Sequence, residues 1–257
     1  MEDLSVVYYT SNYLDDKNPY FLENTRKQLV KAIHIDNTDA MFPLIVVSQK
    51  PVDYFKGIVP SYTNIVVGDI GRSHLNIYRQ ILEGCKAAKT TWVAMAEDDI
   101  LYSQSHFHFW YFTKKEFIDG PYFLYDMNKV SIFTWERQKM FSVRSKRMVV
   151  NHLIAKREML ISALEERFAR LEELRKTWPE GRILKYWGDP GRYEGNLGVT
   201  IRETYQYYCW VPSIVFSHEY AYGYEFNQGN KKKQGDLRIV ELVDWGRAED
   251  ILKLYKP

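Results

Sequence analysis

The chain has 257 residues, 46% of them hydrophobic and 26% charged, which is enough apolar material for one large core, and no Pro-, Gly- or Ser-rich linker divides it. A net charge of +2 does not make a polyanion the default partner, no run of about 18 apolar residues offers a membrane-spanning helix, and two isolated cysteines, Cys85 and Cys209, exclude a disulfide framework or a Cys-rich zinc module. The start Met1-Glu2-Asp3 lacks the basic and apolar blocks of a secretion signal, so reduced thiols and a cytoplasmic location are expected.

Along the chain, residues 5–10 are β-branched and aromatic and predict a strand, and residues 21–33 predict a helix with apolar positions at Phe21, Leu22, Leu29, Val30 and Ile33. Residues 44–48 and 64–67 predict two more strands. Ser73 is placed to cap a helix reaching Ala88, whose apolar stripe is Ile77, Ile81, Leu82 and Cys85. Residues 92–96 predict the fourth strand. This order implies an α/β fold: a mixed, mostly parallel sheet flanked by helices, in one domain. In the second half, residues 122–125, 130–135 and 148–153 read as strands, residues 156–176 as the longest helix, and residues 188–195 as a Gly-rich loop. An apolar stretch over 211–216 then ends at Ser217-His218-Glu219, and a short helix closes the tail.

Chemistry concentrates where the fourth strand ends, at Glu97-Asp98-Asp99. Ligands of open α/β sheets bind at the carboxyl ends of the strands, and clustered carboxylates there repel one another unless a cation or protons compensate them. A dication, Mn2+ or Mg2+, is the expected compensator, with Asp99 as first ligand. Glu97 is placed to reach a ribose, a metal-bound water or the metal itself, and Asp98 points the other way along an extended backbone. Capping of the next turn is the competing reading, but a cap needs one acid. Nucleotide contacts are expected from Thr10 and Asn12 after strand one, from Ser48 ending strand two, and from Arg72 beside the helix start, where backbone donors suit a base edge or a phosphate. Turn and capping chemistry is an equal reading for Asn12 and Ser48.

An amino-terminal strand and loop, a Gly-x-x-x-x-Asn segment from Gly71 to Asn76, the acidic triplet and a late lone histidine together resemble the GT-A glycosyltransferases. The resemblance implies a Rossmann-like catalytic domain over 1–257, with a nucleotide-binding half (1–102) and an acceptor-binding half (103–257). It implies transfer of a sugar from a nucleoside-diphosphate sugar to an acceptor hydroxyl, with Glu97-Asp98-Asp99 standing for the family's Asp-x-Asp motif, Asn76 in the donor site, and His218 completing the metal site. For an inverting reaction it implies a general base between triplet and histidine. Tyr193-Glu194-Gly195 is similar to the start of the family's base motif, which favours Glu194, with Asp189 second.

The acceptor is open. A soluble, polymeric or lipid-linked glycan is one class. A hydroxymethylated base in DNA is the other, because Arg137, Lys139, Arg144, Lys146 and Arg147, with Lys231-Lys232-Lys233, could grip phosphates while tyrosines hold an extruded base. A nucleotidyltransferase would want a Gly-rich basic loop after strand one, which Tyr9-Thr10-Ser11-Asn12-Tyr13 lacks. A non-catalytic carbohydrate or nucleic-acid binding module would explain the aromatics but not the acids.

Overall fold

The computed structural model describes residues 3–35, 38–143, 148–221 and 237–256. In chain order it runs β1 (Leu4–Thr10), α1 (Tyr13–Lys17), α2 (Pro19–Ala32), β2 (Leu44–Ser48), β3 (Tyr62–Val66), α3 (His74–Ala87), β4 (Trp92–Ala96) and β5 (Ile100–Leu101). There follow α4 (Gln104–Phe107), α5 (Lys115–Asp119), β6 (Tyr122–Asp126), β7 (Lys129–Phe133), β8 (Phe141–Val143), β9 (Leu153–Lys156), α6 (Arg157–Thr177), α7 (Glu180–Tyr186) and α8 (Glu194–Leu197). The chain closes with β10 (Glu203–Tyr207), β11 (Ser213–Ser217), β12 (Arg238–Ile239), β13 (Glu241–Leu242), β14 (Gly246–Arg247) and α9 (Ala248–Leu252).

Every residue of β1 is buried, because both faces of its sheet are covered. Val7 and Tyr9 point into a core shared with α3 and α6, while Leu4, Val6 and Tyr8 point into a second core against α2, the period of two expected of a strand. The central sheet has the order β10-β6-β9-β4-β1-β2-β3. β1 is parallel to β2 and β4, β2 to β3, and β6 to β10, whereas β9 runs antiparallel to β4 and β6. The fold is thus a single-domain α/β architecture built on a mixed, mostly parallel sheet with helices on its faces. Among the described residues no helix is long and apolar enough to cross a membrane.

Because β1 sends one connection outward to β2 and lies beside β4 on its other edge, the sheet reverses direction between β1 and β4, and a crevice opens outside their carboxyl ends. A second sheet, β12-β8-β7-β11-β5, closes that crevice from below, and it begins immediately after the acidic triplet. β5 pairs antiparallel with β11, and Phe216 N donates to Asp99 O at 2.9 Å, which fixes the triplet's backbone against the end of β11. Phe21 of α2, fully buried, packs at a tilt against Phe216, ring centroids 4.7 Å apart, and ties the second sheet to the first half; burying such a ring stabilises by about 1.5–3 kcal/mol.

Two segments differ from expectation. Residues 148–153 do not form a strand: Val150–His152 is a 3-10 turn and the strand begins at Leu153, because Val150 N turns toward the crevice and donates to Asp189 Oδ1 at 2.7 Å. β10 went unpredicted because it lies at the sheet edge and only Tyr207 of its five residues is buried, so no apolar alternation marks it. Of the basic clusters, Arg137 and Lys139 lie in a described loop, where Lys139 Nζ donates to Glu136 O at 3.2 Å. Arg144, Lys146, Arg147 and Lys231-Lys232-Lys233 lie outside the described residues.

Candidate functional site

The three acids leave the end of β4 toward different partners. Asp98 turns back to β1, where Tyr8 and Thr10 donate their hydroxyls to its carboxylate. Burial pushes its carboxyl up to about 6, against the opposing pull of the Arg26 guanidinium and of those two hydroxyls. Glu97 is clasped by Tyr9 Oη at 2.5 Å and Asn151 Nδ2 at 2.6 Å, and burial, followed by the charge of Asp99, pushes it up to about 8. Asp99 faces His218: its Oδ2 stands 3.6 Å from His218 Nε2, beyond hydrogen-bond distance.

His218 is 2% exposed. Its Nδ1 accepts from Tyr220 N at 3.2 Å, which sets the ring, and its Nε2 is buried without a hydrogen-bond partner. A buried imidazole nitrogen with nothing to bond is costly, and one aimed beside a carboxylate is the arrangement a metal ion satisfies. Two ligand atoms about 2.0–2.2 Å from one ion stand roughly 3–4 Å apart, so this pair fits a Mn2+ or Mg2+ ion. Among the described residues no group of three or more His, Cys, Asp or Glu is placed to hold a metal ion.

These groups line a cleft of about 490 Å³, within the ordinary range for small-molecule sites. Thr10, Arg72, Asn76, Glu97, Asp98, Asp99, Asp189 and His218 all line it, so the fold gathers them from five separate stretches of chain. Ser73 caps α3 as expected, its Oγ accepting from Asn76 N at 3.1 Å, and Asn76 Nδ2 holds the preceding turn through Ile70 O and Gly71 O. Arg72 lies 3.9 Å over the Tyr13 ring and donates to Tyr220 O at 2.6 Å, linking the first wall of the cleft to the segment that carries His218. On the far wall, Asp189 Oδ1 accepts from Val150 N at 2.7 Å and from Tyr78 Oη at 3.3 Å, with Arg192 Nη1 3.7 Å from its Oδ2.

Three expected residues do not line the cleft. Glu194 is 3% exposed, and its Oε1 accepts from Arg167 Nη2 at 2.6 Å and from Gly191 N. Because Arg167 also donates to Gly188 O and Asp189 O, the Arg167–Glu194 pair braces the loop that presents Asp189. Asn12 sits at φ 57°, and its Oδ1 accepts from Gln49 N and Lys50 N, both at 2.9 Å, so it clamps the ends of β1 and β2. Ser48 is fully buried and accepts from Asn64 Nδ2 at 2.8 Å. Sequence reading missed Tyr9, Asn151, Lys185 and Arg192. The period of two in β1 carries a signal for Tyr9 alone; the others are brought in by tertiary contacts.

No known family's sequence pattern matches the chain, and no curated protein matches it. Solved structures with which it shares a likeness include the glycosyltransferase GlyE of Streptococcus pneumoniae TIGR4, at 11% identity over 69% of this chain and 40% of that one, with a TM-score of 0.39. S. aureus TarS is similar at 13% identity over 83% of this chain and 36% of that one, with a TM-score of 0.43. Its 1–349 fragment is 11% identical over 84% of this chain and 60% of the fragment, with a TM-score of 0.42. The chain therefore spans 36% to 60% of the length of these structures.

Proposed function

We propose that the protein is a metal-dependent glycosyltransferase of the GT-A type, moving a sugar from a nucleoside-diphosphate donor to an acceptor hydroxyl. The observation that carries this reading is the Asp99–His218 pair, 3.6 Å apart with an orphaned imidazole nitrogen, at the carboxyl ends of β-strands where the sheet reverses direction. When bound, Mn2+ or Mg2+ would neutralise charge growing on the departing diphosphate. Asp99 Oδ2 and His218 Nε2 are the atoms that would hold it. Glu97, fixed by Tyr9 and Asn151, is positioned to accept hydrogen bonds from a ribose or from water at the same place. Arg72 and the backbone donors at the start of α3 suit a phosphate, and Lys185 and Arg192 add positive charge at the opposite rim. Asp189, held by Val150 N and Tyr78, takes the proton of the attacking hydroxyl, the role a general base fills in an inverting displacement. A glycan is the acceptor class we favour.

The test is calorimetric titration of UDP, GDP and CDP with and without manganese, together with donor-hydrolysis and transfer assays over a panel of nucleotide sugars. Asp99→Ala and His218→Ala are expected to lose the manganese dependence of nucleotide binding, while Asp189→Asn keeps binding and loses about a hundredfold or more of transfer, the usual contribution of a general base. Nucleotide binding that is indifferent to manganese, with no donor turned over, would overturn the reading.

A further inference from the structure

A second cavity, of about 400 Å³, opens at the opposite end of β11 from the acidic cleft: Val211, upstream of the strand, lines this one, whereas His218, downstream, lines the other. Five strand residues at about 3.3 Å each separate the two openings by roughly 17 Å. Aromatic rings form its rim. Trp210 is 79% exposed and Tyr111 60% exposed, unusual for side chains of their size. The Trp210 indole is held edge-on by Phe112 at 4.9 Å, and Trp245 is anchored by its Nε1–H to Pro212 O at 2.7 Å, so the two indoles are set rather than loose.

The polar lining supplies acceptors. Gln28 and Gln104 direct their Nε2 groups to Tyr102 O and His34 O, both at 3.0 Å, which orients each carboxamide oxygen away from that bond, and Asp244 adds an exposed carboxylate. None of the described lining residues is Lys or Arg. His108 is the lining's one basic side chain among the described residues, so a phosphate, a nucleotide or a DNA backbone would find no permanent cation here and would meet the Asp244 carboxylate. A neutral pyranose fits both halves of the lining: its C–H face lies on an indole or phenol ring, and its hydroxyls donate to carboxylate and carboxamide oxygens. We infer that this cavity is a non-catalytic binding subsite for a neutral glycan, formed around Trp210, Tyr111 and Asp244, separate from the acidic cleft and independent of any transfer there.

Tryptophan fluorescence and calorimetry with cellopentaose, maltopentaose and chitopentaose test it, using manganese-dependent UDP binding as a separate readout of the first cleft. At least one pentasaccharide is expected to bind at millimolar concentration or below. Trp210→Ala and Tyr111→Ala should each raise its Kd by roughly tenfold, what about 1.4 kcal/mol of lost stacking produces, and leave UDP binding unchanged. Both rings are exposed, so either variant should keep the parental Tm, and the two give independent readings. Absence of binding by all three sugars, or binding that neither variant weakens, overturns the subsite. Sugar binding with no manganese-dependent UDP binding would remove the transferase reading and leave the subsite standing.

Discussion

Glu194 lies in a buried pair with Arg167, whose side chain is 1% exposed, so substituting either residue tests stability. Glu194→Ala leaves a guanidinium buried without its partner, a loss of about 3–5 kcal/mol. For a chain of this size that corresponds to a fall in Tm of roughly 6–20 °C, readable by calorimetry, with Arg167→Met in the same chain recovering part of it. An unchanged Tm with transfer lost would return Glu194 to the role of base. That Asp99 and His218 line the cleft was legible in the sequence because each lies just past a run of strand-forming apolar residues, and a strand end is where this architecture collects ligands. That Asn12, Ser48 and Glu194 do not line the cleft is not legible in the sequence, because a polar side chain at a strand end or in a loop looks the same whether it faces a ligand or bonds to a backbone donor, a side-chain amide or a buried guanidinium.

α3 places the turn that lines the donor side of the cleft, and its distance from the sheet is set by Gly84. A Cβ there would overlap Val7 Cγ1 and stand 3.0 Å from Val47 Cγ2. Replacing a helical glycine by alanine ordinarily gains about 1 kcal/mol, whereas overpacking a close interface costs about 1–3 kcal/mol, and here the clash is with two branched side chains in the core. Gly84→Ala is therefore expected to lower the urea midpoint, with a net loss of up to about 2 kcal/mol; a rise would show that α3 can lift off the sheet without cost. Most elements of the first hundred residues were readable because they are apolar strands or helices with one apolar stripe; α1 was not, since its five residues include only one buried apolar side chain, Leu14. β10 and the 3-10 turn at Val150–His152 were not, since edge position and a hydrogen bond to Asp189 shape them rather than any local pattern.

The two sheets meet around His152, which is fully buried between β9, the segment after β5, and β7. Its Nδ1 lies 2.7 Å from Asn151 Oδ1, the rings of Tyr102 and His106 flank it at 5.8 and 5.2 Å, and burial first, then the charges of Lys129 and His106, hold its pKa well below the ordinary histidine value. Below the ordinary value of about 6.5 the unfolded chain takes up a proton that the folded chain refuses, so stability is full above that pH and falls as pH drops. The slope from this one group is at most about 1.4 kcal/mol per pH unit. Urea midpoints measured between about pH 7.5 and pH 5 are expected to decline, and to decline less steeply in His152→Gln; parallel slopes in the two proteins would mean that other groups carry the acid sensitivity.

The α/β class, the mostly parallel sheet and the acidic strand end follow from local order alone, because hydrophobic period and strand-end chemistry are properties of contiguous residues. The 3.6 Å approach of Asp99 to His218, the burial of Glu194 against Arg167 and the aromatic cavity around Trp210 arise only on folding. Each joins residues far apart in the chain, through the β5–β11 register, the Arg167 brace and the packing of two sheets, and no local pattern encodes which distant partner a side chain will meet.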